Sequence, residues 1–113
     1  MDRQIKKYLY DIQSSIYLIE SFVAIKGKRF DIFINDSMFR SAVERQIGII
    51  GEAMNRALKL DPNLPITDSK KIIGTRNYVI HAYDSLTPEI IWAIVVNDLE
   101  LLKNEISILL SES

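Results

Sequence analysis

A chain of 113 residues, 26% charged and 48% hydrophobic, has the balance of a single folded domain spanning 1–113 and not that of a disordered tail. Cysteine is absent and histidine occurs once, which excludes disulfides and thiolate metal sites and leaves zinc short of its usual ligands within one chain. The formal net charge of −1 provides no global basic field for non-specific nucleic-acid binding, so any such surface must be local.

No apolar run approaches the roughly 18–20 residues needed to span a bilayer, and the N-terminal stretch lacks the apolar core of a signal peptide. A cytoplasmic protein without membrane contact is expected. Only 4 glycines and 3 prolines interrupt the chain, and no strand-like alternation persists.

Residues 2–25 read as a first helix. Ile5, Tyr8, Leu9, Ile12, Ile16, Ile19 and Val23 recur at three- and four-residue spacing, and Gly27 stops the run. The connector KGKRFDIFIND is expected to hold a short helix. Ser37 reads as the N-cap of a long helix over 38–60, with Phe39, Val43, Ile47, Ile50, Met54 and Ala57 facing inward. DPNLPITDS, with two prolines, is a loop. Asp68 or Ser69 then caps a helix that begins at Lys70, and Asp84–Ser85 ends or bends it. Thr87–Pro88 restarts a last helix that runs to about residue 110, with Ile91, Ile94, Leu101 and Leu102 apolar. The expected fold is all-α, a four- to five-helix up-and-down bundle.

The chemistry-bearing residues are concentrated in GTRNYVIHAYDSL, residues 74–86. It holds the only histidine, His81, together with Arg76, Asn77 and Tyr83. On an ideal helix Asn77 and His81 share a face, so the amide could orient the imidazole. Arg76 and Tyr83 also nearly share a face, about 10 Å apart along the axis. Arg76 and His81 diverge by roughly 140°. They meet on one phosphate only if the helix is irregular, if the arginine wraps round, or if a second chain completes the site.

The last arrangement has chemical support. RNA cleavage by its own 2′-hydroxyl needs a base, an acid for the leaving oxygen, and a cation for the charge developing on the phosphate. Histidine fills either proton role near neutral pH, and arginine grips phosphate in a planar fork. One chain has one histidine, whereas a two-fold dimer brings two histidines and two arginines to one cleft. Such a site calls for no metal and no cofactor.

R-N-x-x-x-H-x-Y near the start of a C-terminal helix pair resembles the signature of the HepT-type toxins of the HEPN superfamily. RSAVERQIGIIGEAMNRAL (40–58) is similar to that family's long helix, including the block Gly51–Glu52–Ala53, and Trp92 and Asp98–Leu99 fall where its last helix has similar residues. Ala82 stands where many relatives have Glu, at a variable position. The resemblance implies an all-α homodimer that acts as a metal-independent endoribonuclease, with Arg76 and His81 catalytic and Asn77 supporting them. It also makes Glu52 a candidate for orienting Arg76. It implies a partner as well: an MNT-type nucleotidyltransferase antitoxin that places AMP on Tyr83, silences the nuclease and can join it in a larger toxin–antitoxin assembly. RNA is the expected substrate, and no DNA partner is expected.

Each of these residues has a plainer reading. A lone histidine on a helical protein is commonly a surface or helix-end residue, and Tyr83 a half-buried aromatic with its hydroxyl in water. Arg40 and Arg45 either line an RNA path or solubilise the long helix. Lys26, Lys28 and Arg29 form a basic patch on the connector. Gly48 and Gly51 suit close helix packing, and Trp92 suits a core or a dimer interface. The competing function is a non-catalytic helical module that docks on a nucleotidyltransferase and helps present nucleotide or substrate. The chain has no P-loop or dinucleotide fingerprint, so it is not itself the transferase.

Overall fold

The computed structural model describes residues 1–80 and 88–112, and over 76–80 the backbone alone. Among these described residues six helical segments follow one another: α1 (Arg3–Lys26), α2 (Phe30–Asn35), α3 (Ser37–Leu60), α4 (Ser69–Ile80), α5 (Pro88–Asn97) and α6 (Leu99–Ser111). The architecture is all-α. One more segment is found than the upper expected number: the short connector helix forms as expected, and the last helix, expected to run unbroken to about residue 110, is broken at Asp98. None of the described helices is long and apolar enough to cross a membrane.

α1 starts where the Asp2 carboxylate accepts the amides of Gln4 and Ile5, at 2.7 and 3.3 Å, so two otherwise orphan donors are satisfied. Ile5, Leu9, Ile12, Ile16 and Ile19 are buried, while Tyr8 and Val23 pack at the edge of the core. The helix ends at Gly27, whose φ of 104° lies in a region open to glycine, and whose amide donates to the Val23 carbonyl at 2.8 Å.

α3 corrects one expectation. Its N-cap is Asp36 and not Ser37, which is the first helical residue. Asp36 has extended backbone and its carboxylate accepts the Phe39 amide at 3.0 Å, a geometry Ser37 cannot offer from inside the helix. The inward face of α3 is as expected, with Phe39, Val43, Ile47, Ile50, Met54 and Ala57 all buried.

α1 and α3 run antiparallel. Lys7, Tyr8 and Asp11 share a groove with Ile49, Glu52 and Arg56, whereas Phe22 and Ile25 share another with Met38 and Ala42. The end of α5 and the start of α6 lie along α1: Val23 and Ala24 share a groove with Val95 and Val96 of α5 and with Leu99 and Glu100 of α6, and Lys103 of α6 pairs with Glu20 at 3.0 Å. α4 packs on α3.

α2 joins the bundle through aromatic rings. Buried Phe33 stands 4.8 Å from Trp92 and 5.4 Å from Phe39 between ring centroids, the second contact edge-on, and Phe30 adds a fourth ring. Trp92 is therefore a core residue of the chain. Such offset and edge contacts add about 0.5–1.5 kcal/mol per pair beyond the burial of the rings.

Pro88 is the first residue of α5, as its fixed φ favours. Ile91, Trp92, Ile94 and Val95 on α5, and Leu99, Leu102, Ile106 and Leu109 on α6, complete the core. Leu101, expected among the apolar positions, is largely exposed because Leu102, one position on, takes the inward line.

Candidate active-site helix and its anchors

The motif begins on α4. The positions of Arg76 and Asn77 lie on the backbone of this helix, whose described course ends at Ile80. The side chains of both, and all of His81, Tyr83, Asp84, Ser85 and Thr87, lie outside the described residues. The described structure therefore shows how the helix carrying the motif is held.

Three features fix the start of α4. In the preceding loop Leu64 and Ile66 are buried, so two apolar pins hold the backbone despite its prolines. Thr67 then donates its amide and its hydroxyl to the Glu105 carboxylate on α6, the hydroxyl at 2.7 Å. Asp68 occupies the capping position, its carbonyl accepting the Ile72 amide at 3.0 Å, so the helix opens at Ser69. That agrees with Asp68, of the two caps considered.

One turn further on, Lys71 Nζ lies 2.9 Å from Asp98 Oδ2. Asp98 is buried, and the contact is an ion pair between the Lys71 ammonium and its Oδ2. Asp98, first through that contact, raises the Lys71 pKa above its ordinary value. Asp98 is also the joint between α5 and α6: its amide still donates to Ile94 and its carbonyl accepts from Leu102. Beyond Lys71, Ile72 is buried on α4, and so is Thr75, whose hydroxyl is bonded back to the Ile72 carbonyl.

Glu52 is half-buried on α3, where its carboxylate accepts from Arg56 Nε at 2.9 Å. Glu52, and after it Tyr8, raises the Arg56 pKa. Glu52 thus has a cationic neighbour one turn away on its own helix. Arg40 donates to the Ile34 carbonyl at 2.6 Å and so closes the α2–α3 corner. Arg45 is exposed on α3. Lys26 pairs with Asp36 and Arg29 with Asp31, which leaves Lys28 as the exposed cation of the connector without a described partner. Among the described residues no three His, Cys, Asp or Glu side chains come together in a group that could hold a metal.

Sequence reading did not single out Lys71, Glu105 or Thr67, and noted Asp98 only as part of a resemblance. Their partners lie 27 and 38 positions away, beyond any periodicity. The one local signal was an aspartate at an inward position of an otherwise apolar helix.

Comparison with known proteins adds the following. The family model described as "Ribonuclease HepT-like" matches residues 5–109. A protein of Methanocaldococcus jannaschii, provisionally named as an RNase, is 37% identical over 94% of this chain and 96% of its own length. A Thermococcus cleftensis protein, provisionally named ribonuclease HepT, is 34% identical over 93% of this chain and 94% of its own. A second M. jannaschii protein, named as a γ-glutamylcyclotransferase with a provisional RNase, is 32% identical over 99% of this chain and 50% of its own length. No solved structure gives a significant match.

Proposed function

Because the chain belongs to the ribonuclease HepT-like family, we propose that it is a cytoplasmic, metal-independent endoribonuclease, the toxin of a toxin–antitoxin pair. The observation that carries this reading is the sequence constellation Arg76–Asn77–His81–Tyr83, inside a stretch that the family model matches nearly end to end. One copy of His81 takes the 2′-hydroxyl proton as that oxygen attacks phosphorus, and the other protonates the leaving 5′-oxygen, so a 2′,3′-cyclic phosphate forms. Arg76 balances charge on the phosphate, and Asn77 orients the imidazole. Glu52 steadies Arg76, and Arg40 and Arg45 guide RNA. Two chains meet about a two-fold axis, so that two copies of Arg76 and His81 face one groove.

Tyr83 is the control point of the proposal. An MNT-type nucleotidyltransferase places AMP on its hydroxyl, setting a negative phosphate near Arg76 and filling the groove meant for RNA. The chemistry supports this, since a phosphodiester on Tyr83 resembles the substrate that Arg76 would bind.

The test is cleavage of RNA by purified protein in EDTA, with cyclic-phosphate ends on the products. His81→Ala should lose about 10²–10⁴-fold in rate. Full activity in that variant overturns the assignment of His81, and a wild type that binds a transferase but cuts no RNA points instead to the non-catalytic docking module. Tyr83→Phe should keep cleaving in the presence of transferase and ATP, conditions that silence the wild type. A monomer with full activity would exclude the shared groove.

A further inference from the structure

Asp98 is the only charged side chain buried among the described residues, with 7% of its surface exposed. Removing a carboxylate from water is costly, and one ion pair at best offsets that cost, so such a pair is poorly explained by stability. Its location gives a better explanation. Lys71 stands on α4, five positions before Arg76, and Asp98 stands at the far end of α5, the helix that leaves the motif segment. The pair therefore joins the arm leading into the motif to the arm leading out of it. Seven residues further along α6, about two helical turns, Glu105 holds Thr67, one turn before Lys71. The start of α4 is thus fixed to the α5–α6 rod at two levels.

We infer that Lys71 and Asp98 are positioning residues for the ribonuclease site: their ion pair holds α4, the helix on whose backbone Arg76 and Asn77 stand, against the joint of α5 and α6. This rests on the proposed ribonuclease function. Neither residue touches substrate. Their loss acts on the chemical step, which is sensitive to displacements on the order of 1 Å, more than on RNA binding. Because the pair works as a unit, removing either partner removes the whole effect.

The test compares steady-state RNA cleavage by wild type, Asp98→Asn, Lys71→Met, the double variant and Lys71→Arg, with Ile106→Val as a core control. Asp98→Asn and Lys71→Met are each expected to lower kcat on the order of 10–100-fold with KM within about twofold. The double variant should be no slower than the slower single one, and Lys71→Arg, which keeps the cation, should hold kcat within a few-fold. Ile106→Val should lower Tm with kcat unchanged. Should Asp98→Asn fail to fold, Lys71→Met decides the matter, since 53% of the Lys71 side chain is exposed. Multiplying losses in the double variant, or an unchanged kcat beside an active wild type, overturns the positioning role alone. A wild type that cleaves no RNA overturns the functional reading and this inference with it.

Discussion

Lys26, the last residue of α1, lies 2.9 Å from Asp36, the residue that caps α3. One carboxylate thus ties the end of one long helix to the beginning of the next. The Phe39 amide, and then Lys26, hold the Asp36 carboxyl below its ordinary pKa. A depressed folded pKa gives stability that is present above the unfolded value of about 3.9 and is lost as pH falls through the folded one. Asp36→Asn keeps a capping oxygen and loses the charge. Its Tm should lie below that of wild type at neutral pH, and the gap should close as melts are taken below about pH 3.9.

Glu44 behaves in the opposite way. Partial burial on α3 raises its pKa, and nearby Arg40 only partly offsets this. The folded state therefore resists ionisation, and the penalty develops as pH rises from about 4.3, the unfolded value. Glu44→Gln should raise Tm at pH 7 and give no gain in acid below the ordinary glutamate range. Equal gains at both pH values would contradict this account.

Gly27 is held at φ 104° and ψ 144°, and an added Cβ would come 3.3 Å from Ile32 Cδ1 on α2. Gly27→Ala should cost about 1–3 kcal/mol, the range for residues forced into backbone regions of this kind. Urea melts would show it as a lower midpoint at unchanged slope.

Phe33 is fully buried between Phe39 and Trp92, where α2 meets α3 and α5. Phe33→Ala should cost about 3–5 kcal/mol, as large aromatic truncations in cores do. Phe33→Leu, which fills most of the space, should cost markedly less.

Much of this fold was legible because helical periodicity is a local signal. The spacing of Ile5, Leu9, Ile12, Ile16 and Ile19 foretold the buried stripe of α1, and the Phe39-to-Ala57 series did so for α3. The cap of α3 was read one residue late because Asp36 and Ser37 are both good capping residues, and only backbone conformation separates them. The break at Asp98 was missed because flanking apolar residues continue the helical rhythm across it. At the candidate site, residue types and spacing in 76–83 carry the proposed chemistry. The anchoring of α4 was not readable, since Lys71–Asp98 and Thr67–Glu105 pair residues brought together only by the folded chain.

The contact between Glu20 and Lys103 spans 83 positions. A ribosome adding roughly 5–20 residues per second takes about 4–17 s to cover that distance, and for that time α1 lacks the helix that closes its second side. Asp98 and Glu105, which hold α4, are also made after the motif itself. A growing chain therefore carries the motif residues before it has made the supports of their helix, so an unfinished copy should be a poorer nuclease than the completed one.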